Sequence, residues 1–196
     1  NSVTDNPVYV PGKGFLSGGH FHGQPIAFVL DLLSIGVSYL SSISERRIAR
    51  LLDYKLSGLP PHLIRRPGVN SGLMILQLSG AALAAENRTF SNPASVASIP
   101  TAANQEDLVS MGMNSGLKLL HALENLEKIL AIEIICGIQA LEFLRPLRSS
   151  AYVERVRRRV RRVVPFIDED QELSGYIDKL AAMIRSGGLI KGLPLD

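Results

Sequence analysis

The chain has 196 residues, 46% apolar and 20% charged, a balance that suits a packed globular body and excludes a disordered tail. Its single cysteine, Cys136, leaves no internal disulfide, and the apolar run Ile134–Ile138 around it reads as a buried thiol, so a reducing, cytoplasmic setting is expected. The formal net charge of +3 is local: Arg155, Arg157, Arg158, Arg159, Arg161 and Arg162 supply it, and the rest is slightly acidic.

Asn1 to Pro7 is polar, lacks an initiator methionine and a basic signal-peptide region, and reads as the interior of a longer chain. To about Gly23, Pro7, Pro11, Gly12, Gly14 and Gly18-Gly19 break any helix, so loop or short strand is expected. Pro25 to about Asp53 predicts a helix, with Ile26, Leu30, Leu33, Val37 and Leu40 at three- and four-residue spacing. Pro25 to Ile43 is also the one stretch that approaches the roughly twenty apolar residues a bilayer requires. Asp31, the serines at 34, 38, 41 and 42, and Gly36 argue instead for a helix buried among helices, and no membrane partner is expected. A helix apolar on nearly all sides exceeds what one small domain can cover, which implies oligomerisation or further chain.

Gly58-Leu59-Pro60-Pro61 stops the chain, and a second helix is predicted from about Ser71 to Glu86, where small alanines allow a close neighbour. A polar loop follows to Ala103. The longest helix is expected from Glu106 or Leu108 to Leu144, roughly 50 Å, with Leu117, Leu120, Leu123, Leu126, Leu130 and Ile134 along one side. Pro146 ends it; Ser149-Ser150 can cap a basic fourth helix to about Val164, and Glu172 to Arg185 makes a fifth with Gly187-Gly188 just past its end. The fold class is therefore all-α: one long-helix bundle over residues 1–196, with functional-looking loops at helix ends.

Three features could carry chemistry. Gly18-Gly19-His20-Phe21-His22-Gly23 places two imidazoles in a glycine-flanked loop at a helix start; a metal would need a further ligand that no motif supplies, so no metal is expected, and histidines bonding their own loop is the plain alternative. Ser98 to Asp107 precedes the longest helix, where Thr101 or Asn104 could cap it and the acids complement its dipole, or a carboxylate could face a ligand amine. On the fourth helix Arg155, Arg158, Arg159 and Arg162 fall on one side and Val153, Val156, Val160, Val163 and Val164 on the other, a solvated basic face without interleaved aromatics, which argues against nucleic acid.

Four segments in order, Ser2–Pro7 (S-V-T-D-N-P), Gly18–Gly23 (G-G-H-F-H-G), Asn70–Met74 (N-S-G-L-M) and Ser91–Met111 (S-N-P-A-S-V-A-S-I-P-T-A-A-N-Q-E-D-L-V-S-M), resemble the C-terminal portion of the aromatic amino acid ammonia-lyases, of the histidine type. The resemblance covers almost the whole chain. It implies the helical ammonia-lyase fold (fumarase/aspartase-like), a homotetramer with sites built from several subunits, and a methylidene-imidazolone electrophile formed from Ala-Ser-Gly. That tripeptide is absent from these residues, so the N-terminal part of the enzyme is expected to supply it, together with the family's catalytic tyrosines and carboxylate-binding arginine. Phe21 resembles the aromatic residue beside the prosthetic group and substrate. Glu106 resembles the catalytic and substrate-binding carboxylate facing the substrate amine or imidazole, where phenylalanine and tyrosine lyases generally carry glutamine. That implies L-histidine rather than another aromatic amino acid. His20, where the family usually has asparagine, is a further substrate-binding candidate and departs from the pattern.

Overall fold

The computed structural model describes residues 4–193, so Ser2 and Val3 of the first motif lie outside the described residues. A short hairpin, β1 (Val8–Val10) and β2 (Gly14–Leu16), pairs Tyr9 with Phe15 in antiparallel register. The helices are α1 (Gln24–Leu52), α2 (Tyr54–Ser57), α3 (Met74–Phe90), α4 (Gly112–Phe143), α5 (Ala151–Arg161) and α6 (Ser174–Arg185), with 3-10 turns at Pro61–Leu63 and Ala102–Asn104. The all-α bundle expected from the sequence is present.

Local chemistry sets the boundaries. Asp53 accepts from the amide of Lys55 and so caps α2, which ends at left-handed Gly58. Ser150 caps α5 by accepting from the Val153 amide, as its spacing suggested. Gly72 is required twice over: its φ is +59°, and a Cβ there would lie 2.7 Å from the His62 carbonyl.

α1, α3 and α4 form the main bundle. α1 and α4 run parallel, since Ala27 adjoins Gly112 and Arg47 pairs with Glu133. α3 runs back between them, placing Gly80 against Ile48 and Asn87 against Ser41. Toward the C-terminal end Ile48, Leu52, Leu76, Ile129, Ile132, Ile135, Ile167 and Leu180 form one core, each side chain contributing about 1.5–3 kcal/mol through burial.

The face that α1 turns inward matches the expected stripe only in part: Val37 is buried and Leu30 packs beside it, but the rest of the stripe faces outward. Ile26, Leu33 and Leu40 are 64%, 50% and 54% exposed, while Ala27, Asp31, Ser34, Ser38, Ser41 and Ser44 are buried. Small residues let the helices approach closely, and the hydroxyls find partners: Ser34 donates to Leu30 O, Ser41 to Val37 O and Ser44 to Glu133. Asn87 continues the network, donating to Ser41 Oγ and the Ala122 carbonyl and accepting from Asn125. Similarly, Leu117, Leu120 and Leu123 of the expected α4 stripe are exposed, and burial begins with Leu126.

Two further expectations are corrected. α4 begins at Gly112 rather than at Glu106 or Leu108, because left-handed residues interrupt the approach to it. The arginines are not a uniformly solvated face: Arg159 donates to the carbonyls of Gly188, Leu189 and Lys191, and Arg157 and Arg161 turn to Glu142.

Candidate active site

At the N-terminal end of the α1–α4 pair two loops meet. Pro25 lies in the first turn of α1, yet its N-cap residue, Gly23, has no side chain to satisfy the first amides. His22 does this instead: Nδ1 accepts from the Gln24 amide at 3.1 Å, which leaves Nε2–H to donate to the Leu108 carbonyl at 3.1 Å. One neutral tautomer satisfies both contacts. The imidazole thus ties the loop carrying Phe21 to the loop carrying Glu106. Gly23 sits close to the second loop, since a Cβ there would lie 3.2 Å from Ser110 Oγ.

The second loop is held in an uncommon shape. Ala102, Ala103 and Asn104 have φ of 51°, 54° and 69°, each costing about 1–3 kcal/mol in a residue with a Cβ. Paired backbone bonds offset this: Thr101 N donates to Glu106 O at 2.9 Å and Glu106 N to Thr101 O at 3.3 Å. Ser98 Oγ accepts from the Val109 amide. Neither Thr101 nor Asn104 caps α4, and Glu106 lies six residues before that helix, so the helix-dipole reading of the acids does not hold.

Phe21, His22, Gly23, Glu106, Leu108, Val109 and Ser110 line a shallow cleft of about 160 Å³. Phe21 is 49% exposed, its ring 6.2 Å from that of His22. Glu106 is exposed, and no hydrogen bond or ion pair to its carboxylate is found among the described residues. The cleft therefore brings together Phe21 and Glu106, which are 85 positions apart. His20 is exposed and is not part of that lining.

Beneath the cleft lies Asp31, only 4% exposed. Its Oδ2 accepts from the Ser95 amide at 2.8 Å, anchoring the S-N-P-A-S segment to α1. Burial opposes its ionisation, but polar contacts, those with Ser95 foremost, outweigh it and hold the carboxyl below its ordinary range, while Oδ1 has no hydrogen-bond partner among the described residues. Gln24 adds a second tie, donating to the Ser95 carbonyl. The plain alternative of a histidine bonding its own loop holds for His22 through Gln24; sequence reasoning missed its bond to Leu108, and missed Gln24, Ser98 and Asp31 as residues that shape this site. One signal was available for His22: a helix start of Gly-Gln-Pro needs an acceptor from outside its own N-cap.

The remaining reactive groups are quiet. Cys136 is fully buried and its thiol is pushed up to about 12, mainly by burial and further by nearby Glu133, so it is not a nucleophile. Among the described residues no group of three His, Cys, Asp or Glu is placed to hold a metal ion.

The fold defines the class as an all-α long-helix protein whose polar loops gather at one end of the bundle. The family model described as aromatic amino acid lyase matches residues 1–162, and the chain belongs to that family. It is 46% identical over 190 residues to a histidine ammonia-lyase of Anaeromyxobacter sp. (strain K), covering 96% of this chain and 37% of the relative. A histidine ammonia-lyase of Caldanaerobacter subterraneus is 47% identical over 188 residues, with 95% and 37% covered. Among solved structures, histidine ammonia-lyase from Trypanosoma cruzi superposes with a TM-score of 0.91 at 46% identity, covering 95% of this chain and 37% of that one. Tyrosine aminomutase from Streptomyces globisporus gives the same TM-score at 36% identity, with 95% and 36% covered. The chain thus spans a little over a third of the length of the relatives it matches.

Proposed function

We propose that the complete protein to which this chain belongs removes ammonia from L-histidine to give urocanate, and that this chain contributes one wall of the site. The observation that carries the reading is the shared cleft of Phe21 and Glu106, an exposed aromatic ring and a carboxylate with no assigned partner on a stiffly held loop. In the reaction the Cα–N bond and one Cβ–H bond of the substrate break, the Cα–Cβ double bond forms, and nitrogen leaves as ammonia. Glu106 accepts a hydrogen bond or proton from the imidazole or the ammonium, a task for which a carboxylate suits better than an amide.

The electrophile fits what Phe21 offers: half of its ring is free to pack against a planar group. Phe21 would flank a methylidene-imidazolone, which when bound supplies the electron-poor carbon that activates the amine. No Ala-Ser-Gly occurs in these 196 residues, so the group comes from a segment outside this chain. The exposed apolar side chains of α1 and α4 support a homotetramer in which other chain segments cover them and complete the site, and the single, buried Cys136 suits a cytoplasmic setting.

The test is Glu106→Gln in the complete protein. Loss of a charge-assisted contact is worth about 1.5–3 kcal/mol, so kcat/KM for histidine should fall about ten- to a hundredfold. Phenylalanine or tyrosine turnover, if measurable, should hold or rise. Unchanged urocanate formation by the variant would remove Glu106 from the site.

A further inference from the structure

The opposite end of the bundle carries charge that the proposed reaction does not use. Arg145, Arg157 and Arg161 are held by carboxylates: Arg157 Nη1 lies 2.8 Å from Glu142, Arg161 Nε 3.0 Å from Glu142, and Arg145 Nη2 3.0 Å from Glu154. Arg148, Arg155 and Arg158 are exposed, and no hydrogen bond or ion pair to them is found among the described residues. These three line an open cleft of about 860 Å³ together with Arg145, Arg157 and Glu154, so five guanidiniums face a single lining carboxylate. Glu142 and Glu154 compensate Arg145 and Arg157, and gathering the three remaining guanidiniums is unfavourable unless an anion joins them.

The start of α5, whose Ala151 belongs to the lining, adjoins the same cleft. Ser150 satisfies the amide of Val153 and Glu154 that of Ser149, while the amides of Ala151 and Tyr152 open the 11-residue α5 without an intrahelical acceptor. The remaining members of the lining are Pro146, Ser149 and Ala151. No aromatic ring and no large apolar side chain is among the lining residues. The chemistry is that of tetrahedral oxyanions, and the cleft is larger than a single phosphate needs.

We propose that this cleft binds an oligophosphate, with Arg148, Arg155 and Arg158 making the direct contacts and the Glu142–Glu154 pairs fixing the cleft's walls. The bound anion would tie the α4–α5 turn to α5, roughly 48 Å along α4 from the start of that helix. It would act by stabilising that end of the bundle rather than by touching substrate.

The test is calorimetric titration of the complete protein with inorganic pyrophosphate at fixed ionic strength. One saturable site per chain is expected, weakening as salt rises. The double substitution Arg155→Gln with Arg158→Gln should raise Kd about a hundredfold, tenfold per lost guanidinium, and leave the ligand-free melting temperature unchanged or slightly raised, because neither side chain has a hydrogen-bond or ion-pair partner among the described residues and two like charges leave the cluster. Arg148→Gln, in the turn before α5, provides a second variant should the double one fold poorly, with about a tenfold loss expected. ADP should bind no tighter than pyrophosphate. The proposal is overturned by absence of saturable binding, by unchanged affinity in the variants, or by a nucleotide that binds much more tightly than pyrophosphate.

Discussion

The two ends of the α1–α4 pair treat their polar groups in opposite ways. Near the C-terminal end, Gln139 is fully buried and every bonding position is used: Nε2 donates to the Leu63 and Ile167 carbonyls, and Oε1 accepts from Arg161 and the Ile167 amide. Arg161 goes on to Glu142 and to the carbonyls of Ile138, Val164 and Pro165. At the N-terminal end, Phe21 and Glu106 stand exposed on loops that are themselves carefully tied down by His22, Ser98 and the Thr101–Glu106 bridge. Where the chain bonds to itself, side chains serve the fold. Where the backbone is fixed and the side chains are left free, the site's partner lies elsewhere.

The sharpest way to break this contrast is Gln139→Leu. Similar volume is kept, but two carbonyls, an amide and part of Arg161 lose their partner in a dry core, and the expected loss is about 3–5 kcal/mol in urea unfolding of the complete protein. A change below about 1 kcal/mol would mean that the network is incidental. Glu106→Gln should do the reverse, lowering histidine turnover as described while stability stays within about 0.5 kcal/mol.

A smaller, pH-dependent effect distinguishes the arginine end. Burial alone would raise the Glu142 carboxyl, but hydrogen bonds from Arg161 and Arg157 lower it overall. The Arg145 hydrogen bond is the main cause of the Glu154 carboxyl falling to about 2 from its ordinary 4.5. Both carboxyls are depressed in the folded state, so their stabilising contribution is present above the ordinary 4.5 and is lost as the pH falls below it, for Glu154 down through about 2. Melting temperature should decline through that window, and Arg157→Gln should flatten the decline. An identical acid profile in the variant would show that these pairs contribute nothing to acid stability.

Much of this was legible in the sequence. Helical periodicity gave α6 to within two residues and placed α3, though three to four residues early at each end, and Ser150 and Gly187 marked a cap and a stop because both act within a few residues. Phe21 and Glu106 were legible through family resemblance, and the fold places them in one cleft. What was not legible depends on partners far along the chain. The spacing of Leu33 and Leu40 shows that α1 has apolar faces, but not that serines would take the inner one, since that choice depends on Asn87 and Glu133 from other helices. The late start of α4 rests on left-handed Met111 at its N-cap, a conformation that residue type alone disfavours.

The smallest effect expected is also the one that tests how the site end is built. His22 does two things at once, accepting from the first amide of α1 and donating to Leu108, two residues beyond Glu106. His22→Asn retains a short acceptor for the helix but is too short to hold the Leu108 carbonyl as well, whereas His22→Ala removes both contacts. If the imidazole positions Glu106, both variants should lower kcat/KM for histidine by about three- to tenfold, and only His22→Ala should lose the roughly 1 kcal/mol of a helix cap. Shifts in stability and turnover would then separate between the two variants. If His22→Asn kept full turnover, the bond to Leu108 would be dispensable, and the strained turn at Ala102–Asn104 would be sufficient by itself to hold the carboxylate in place.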